Sequence, residues 1–421
     1  MVIPMSGLRV LLLLAMPVLG WAEFRAAAVK VDITPDKPQW LLGYGARQST
    51  GVHDPLFHRI VALDDGRTQF FLVSSDIALF SPAFYDEFCA ELKKQTGIER
   101  TNVWWTATHT HSAPELGPPG LAKAFLAGRY DHDPDWEYAR SVKAKLIAGI
   151  VEARGKLAPA RLSVGTTASN ANINRRSRDV DGHISLGLNP DGPVDRQVGL
   201  LRLDRLDGSP IAIVANYAMH GTVMGGQNKL ISGDGPGVVA AYVEEKVGAP
   251  MLFLNGAAGD VAPIYSGYDD FKRLRITEFN VLLGDRILEA NRRLAASAPE
   301  VRLKAGEEIV VTPLKPGLEW PAELAGYLSA DSQVRLPLRF LKINAETVLW
   351  AAPLELFCEI AMEVRRQSPV KYTFYVGYTN GWLGYMPTKK AFPEGGYETT
   401  VTPYTPEAEA ALKAAALAGL R

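Results

Sequence analysis

Asn102-Val-Trp-Trp-Thr-Ala-Thr-His-Thr-His-Ser-Ala-Pro114 runs from an apolar stretch with the character of a buried strand directly into two histidines spaced by one residue. A strand points residues i and i+2 to the same face, so His109 and His111 are expected to project together from the strand end toward one cleft. Neutral imidazole is the commonest zinc ligand. A catalytic zinc, however, usually takes three protein ligands and keeps a position for water. The rest of the chain must supply the others.

Outward from this stretch, short apolar runs alternate with helical ones. Residues 69–74, 103–108, 200–203, 211–217, 251–255, 348–352 and 373–376 read as strands. Residues 135–154 follow an Asp-Pro-Asp start signal and place Ala139, Val142, Leu146 and Ile150 at helical spacing; 238–247 and 271–294 behave similarly. The alternation predicts an α/β class with a mixed β-sheet core flanked by helices. Neither a Gly/Ser-rich linker nor an internal repeat divides the chain, so residues 23–421 are expected to form one domain. The Ala-rich tail, 405–421, is expected to be a loosely attached helix.

The first 22 residues carry Arg9, then the apolar run 10–19, then Gly20-Trp21-Ala22 before Glu23, the order of a signal peptide. A membrane span needs about 20 apolar residues. No segment meets that, so the protein is expected to be exported, periplasmic or secreted, without a transmembrane segment. A formal net charge of -1 and 22% charged residues are those of an ordinary soluble globular protein, and nothing in them points to nucleic acid, so no nucleic-acid partner is expected. Only Cys89 and Cys358 occur, which rules out a disulfide framework and leaves one bridge or two buried thiols open.

Ligands of α/β sheets collect outside the carboxyl ends of strands. His109 follows one strand, His220 another, Glu355 a third, and Tyr385 comes after a fourth and a Gly-rich turn; together they can make one pocket. Asp76, Asp234 and Asp260, in strand-end loops, fit either of two roles, orienting the ligating histidines or serving as caps and turn residues, which are equally common homes for aspartate. The familiar His-Glu-x-x-His signature is missing, as is the acidic and histidine pair of a His-x-His-x-Asp-His site. The residues by themselves point to zinc and leave the substrate open.

Thr108-His-Thr-His-Ser112, the span from Ala218-Met-His220 to Ile231-Ser-Gly-Asp234, Gly259-Asp-Val-Ala-Pro263, and Tyr385 with Tyr397-Glu398 together resemble the catalytic domain of the neutral, non-lysosomal ceramidases. Gly43-Tyr44, Gln48 and Gly51-Val-His-Asp54 look like that family's N-terminal motif, and the motifs occur in family order over residues 25–400. The resemblance implies a ceramidase-like fold and one Zn2+ per chain, held by His109, His220, Glu355 and Tyr385. It also implies a catalytic set of His111, Arg175 and Tyr397, with His111 beside the scissile amide and the other two around the developing oxyanion. The implied reaction is attack of zinc-activated water on an N-acyl amide, ceramide or a related N-acylated amine, with His111 handling the proton. Zinc lowers the pKa of bound water from about 15.7 to about 7, and Arg and Tyr donors stabilise charge at the tetrahedral oxygen. The partner implied is a small-molecule or lipid amide, reached with transient membrane-surface contact; oligomeric state is left open.

Three departures mark the chain as a divergent member. Ala262 stands where the family has a serine that has been proposed as nucleophile, the stretch 262–355 is shorter than its family counterpart, and the sequence ends soon after Tyr404, where ceramidases continue into an immunoglobulin-like domain. Two other readings therefore stay beside the amidase: a non-catalytic lipid- or ligand-binding protein on the same fold, and a zinc esterase or lactonase.

Overall fold

The computed structural model describes residues 23–130, 132–266, 275–295 and 300–421. The expected signal peptide, 1–22, lies outside them, as does the start of the expected helix 271–294.

A mixed eight-stranded sheet runs in the order Met251–Asn255, Pro210–Tyr217, Gln197–Arg205, Ala158–Ala168, Arg25–Asp32, Phe57–Asp64, Gln69–Ser75, Val103–Ala107. Its interior pairs are antiparallel, whereas the outermost pair on each side is parallel. A parallel pair needs a crossover. The helices Pro82–Thr96 and Asp234–Val247 supply one on each side. A second sheet of four strands, Lys304–Pro313, Gln333–Asn344, Thr347–Ala351 and Tyr372–Val376, also ends in a parallel pair, crossed by the helix Cys358–Gln367.

These three parallel pairs converge. Ser74 Oγ donates to Phe253 O at 2.6 Å, so the two ends of the large sheet meet. Asn216 Nδ2 bonds both Leu254 O (3.1 Å) and Tyr375 O (2.8 Å), and Gly377 N donates to Asn255 O (2.9 Å). On the other flank Asn380 exchanges two 2.7 Å bonds with the Trp105 backbone, donating through its N–H and accepting through Oδ1. Buried polar groups need such partners, and here the partners hold three strand ends around one space.

Most expected elements are present, and the differences have physical causes. The helix expected at 135–154 is Trp136–Gly155, with Asp135 capping it by accepting from Tyr138 N at 2.9 Å. The expected helix 271–294 is broken into Arg275–Thr277, a π turn Asn280–Gly284 and the α-helix Asp285–Arg293. The strand Phe57–Asp64 does not read as one because it buries His58 and Arg59; the Arg59 guanidinium is neutralised by Asp76 (2.6 Å) and Glu244 (2.7 Å), residues far away in sequence. Both cysteines are free and buried, and Cys358 opens a helix.

The tail is a correction. The helix Ala408–Gly419 buries Ala408, Leu412 and Ala416 in the largest apolar core, against the helix Cys358–Gln367 and the strand Lys304–Pro313, because its alanines and leucines recur on one face. Leu412→Ala is therefore expected to cost about 2–5 kcal/mol, measured as a fall in the denaturant midpoint; a change below about 0.5 kcal/mol, typical of surface positions, would mean that the tail is loosely attached after all.

Candidate functional site

The strand Val103–Ala107 ends before the histidines, and His109 takes a left-handed backbone (φ 61°). That conformation is uncommon for a residue with a Cβ and costs on the order of 1–3 kcal/mol. A bridge of Thr110 to Gly221 holds the turn, with His111 N donating to Gly221 O at 2.8 Å. A Cβ on Gly221 would stand 2.7 Å from His109 O, so the loop carrying His220 can approach this closely only through glycine. His109 and His111 do come together, with Nε2 atoms 3.1 Å apart, but through this turn rather than through strand periodicity.

His109 Nδ1 lies 3.0 Å from Ala78 O, and His220 Nδ1 lies 2.7 Å from Ala258 O and 3.2 Å from Val261 O. A carbonyl only accepts, so both Nδ1 atoms carry the proton and both Nε2 atoms present lone pairs. Those lone pairs face a carboxylate. Glu355 Oε2 is 2.9 Å from His220 Nε2 and 3.5 Å from His109 Nε2. Trp382 Nε1 donates to Glu355 Oε1 (2.9 Å) and the Tyr378 hydroxyl to Oε2 (3.2 Å).

Two ligand atoms about 2.0–2.1 Å from one tetrahedral zinc stand roughly 3.3 Å apart. The two imidazole–carboxylate spacings bracket that value, and the pinned Nδ1–H groups match the way ligating histidines are usually oriented. The donor set thus fits a divalent metal. His109, His111 and His220 offer ligand atoms within 4.8 Å of one another, all buried. Among the described residues Asp179, Asp181 and His183 also cluster, but on an exposed turn.

Tyr385 is the register partner of Glu355 in a two-stranded parallel ribbon. Its hydroxyl accepts from Arg175 Nη2 at 3.0 Å, while Arg175 Nη1 lies 3.0 Å from His220 Nε2. Arg175 is no solvated charge. It is buried, and Glu398, also buried, takes Arg175 Nε (2.9 Å) and Arg176 Nη1 (2.8 Å). Burial works against the guanidinium charge, but Tyr385, Glu398 and Glu355 hold its pKa well above normal. Tyr397 packs edge-on against Tyr385, with ring centroids 5.7 Å apart. Burial, followed by the Arg175 charge, pushes the His220 imidazole down to about 4. Burial also pushes His111 well down, with His109 and His220 next in effect. Unlike the other two rings, His111 leaves its buried Nδ1 without a partner.

All seven expected site residues, His109, His111, Arg175, His220, Glu355, Tyr385 and Tyr397, thus gather at one place. The three aspartates do not touch the histidine rings. Asp76 binds Arg59 and Phe57 N, Asp234 accepts from Val223 N and Met224 N, and Asp260 accepts from Cys358 N. Each fixes a loop, and the orienting is done by backbone carbonyls, which leave no mark in a sequence. Ala262 is buried in a short strand, Val261–Pro263, paired with the strand that carries Arg175. Trp382 and Tyr378 escape sequence reasoning, although the Gly-rich turn after residue 376 marks their loop.

The N-terminal family model for neutral/alkaline non-lysosomal ceramidases matches residues 24–267, more than half of the chain. The neutral ceramidase of Pseudomonas aeruginosa is 26% identical over 322 residues, covering 72% of this chain and 45% of that protein. The neutral ceramidase of Mycobacterium tuberculosis is 28% identical over 257 residues, 54% of this chain and 38% of that protein. The chain thus spans less than half the length of these relatives. The crystal structure of the Pseudomonas aeruginosa neutral ceramidase shares the fold, with a TM-score of 0.77 at 20% identity over 94% of this chain and 74% of that one. The chain belongs to the neutral/alkaline non-lysosomal ceramidase family.

Proposed function

We propose that this protein is an exported zinc-dependent hydrolase of an N-acyl amide, ceramide or a related N-acylated amine, and that residues 23–421 form one catalytic domain. The observation that carries the reading is the buried facing of two lone-pair imidazole nitrogens and one carboxylate at 2.9 and 3.5 Å. His109, His220, Glu355 and, beside them, Tyr385 would hold the zinc, which supplies an acidified water and polarises the scissile carbonyl.

The chain's own residues supply the rest. Arg175 is fixed through Nε by Glu398 and turns Nη1 and Nη2 toward His220 and Tyr385, so its charge is oriented before substrate arrives. Pre-set donors of this kind favour charge developing on the carbonyl oxygen, and Tyr397, packed on Tyr385, stands on the same side. His111 has no carbonyl locking either ring nitrogen, so it can take a proton from the attacking water and pass it to the departing amine nitrogen. The water oxygen bonds to the carbonyl carbon as the carbon–nitrogen bond breaks, giving an acid and an amine. Ala262 has no hydroxyl, so nothing at that position competes for the attack.

His220→Ala is expected to lose both zinc and turnover, whereas His111→Ala keeps most of the zinc, near one per chain by elemental analysis, and loses turnover by roughly 100-fold or more, the scale of a general acid–base group. Zinc lost in His111→Ala instead makes His111 a ligand. Fluorogenic N-acyl amides and matched esters, given to zinc-replete protein, test the reaction class. Amide turnover is expected; ester turnover alone favours the esterase reading, and turnover of neither favours a binding protein. Export predicts that the mature chain begins near Glu23, read from the intact mass of the protein recovered outside the cytoplasm; an intact Met1 there contradicts it. Among the described residues no helix is long and apolar enough to cross a membrane.

A further inference from the structure

The arginines of the site fall into two kinds. Arg175 and Arg176 share the buried carboxylate of Glu398. Arg47 and Arg129 have no carboxylate within ion-pair distance among the described residues. Arg47 is buried and donates only to backbone carbonyls, Nε to Asn228 O and Nη2 to His111 O, and its Nη1 has no partner at all. A buried guanidinium is rarely left without a counter-charge.

Arg129 is half-buried and donates through Nη1 to Gly43 O at 2.9 Å. Gly43 (φ +99°) lies flat on the His111 ring, where a Cβ would come within 2.3 Å of the imidazole. Arg129 is therefore anchored directly over His111. Its charge also bears on the Tyr397 phenol, which its side chain reaches as a hydrogen-bond donor, and on Tyr44, Arg47 and His111. Tyr44 stands edge-on to His111 with ring centroids 5.0 Å apart, and the Arg47 guanidinium carbon is 5.0 Å from the Tyr44 ring. Glu115 does not compensate: burial lifts its carboxyl to about 8, and it takes its hydrogen bond from the Tyr130 hydroxyl at 2.7 Å.

A cation with no ion-pair partner among the described residues, beside the group that protonates the leaving amine, fits an anion carried on that amine. The geometry points to Arg129, backed by Arg47, as the specificity-determining residue for a carboxylate next to the amide nitrogen. Among the N-acylated amines, the preferred substrates are then N-acyl amino acids. This assignment rests on the hydrolase reading for which side of the amide faces His111. A neutral amine headgroup leaves Arg129 with no carboxylate partner among the described residues, whereas a carboxylate forms a charge-assisted, two-point contact with it.

N-octanoylglycine and N-octanoylethanolamine differ in that a carboxylate in one replaces a hydroxymethyl group in the other. Equilibrium binding and turnover of both are compared on the zinc-replete full chain, on Arg129→Gln and on Arg129→Lys. Wild type is expected to favour the anionic amide by roughly 10- to 100-fold, the worth of a hydrogen bond to a charged group, in Kd and KM rather than kcat. Arg129→Gln should bring the ratio to about one, and Arg129→Lys should restore part of it. Equal affinity of wild type for the two amides, or a preference that survives Arg129→Gln, overturns the inference. An Arg129-dependent binding preference without turnover of either amide leaves it standing and sinks the hydrolase reading; turnover of both at equal kcat/KM does the reverse.

Discussion

Glu355 is buried between two imidazoles whose Nδ1 protons are already committed to backbone carbonyls. Lone pairs facing a carboxylate repel one another. Removing an ion from water costs several kcal/mol even after the protein relaxes, and only close, well-placed partners repay it. Trp382 and Tyr378 donate to the carboxylate, and Arg175 brings a positive charge to one side. The space between His109, His220 and Glu355 still favours a cation, and that need organises the rest of the molecule.

The architecture meets it by joining three parallel strand pairs at their carboxyl ends. One pair delivers His109 and His111, a second delivers His220 and the carbonyls of Ala258 and Val261 that orient it, and the third delivers Glu355, Tyr378, Trp382 and Tyr385. Side chains and backbone near the strand ends, those of Ser74, Asn216, Gly377 and Asn380, tie the pairs together. The left-handed backbones of His109, Tyr378 and Asn380 lie where these ends meet. Such conformations persist only where surrounding bonds over-determine them, and they tend to gather at functional sites.

Much of this was legible in the chain itself, because strand ends in an α/β sheet are where chemistry collects, and His109, His220 and Glu355 each follow a strand at short distance. Tyr385 follows a fourth strand and a Gly-rich turn, and the family motifs added Arg175 and Tyr397. What stayed hidden depends on contacts between distant residues. The strand Phe57–Asp64 hides behind a buried Arg59 whose neutralising acids lie 17 and 185 residues away. The tail helix looks detached in sequence because its small apolar face has meaning only beside the strand it packs on. Backbone carbonyls, not the conspicuous aspartates, orient the imidazoles, and no residue type announces a carbonyl. The charge balance of the pocket is equally nonlocal, since Arg175 has the carboxylate of Glu398, 223 residues away, beside it and Arg129 has none within ion-pair distance among the described residues.

The most direct test of the cation that this pocket calls for is an anomalous difference map collected at the zinc edge from crystals of the zinc-replete protein. The account predicts one strong peak about 2.0–2.1 Å from Nε2 of His109 and His220 and within bonding distance of Glu355. No peak there, or zinc found only at the exposed Asp179, Asp181 and His183 turn, would contradict it.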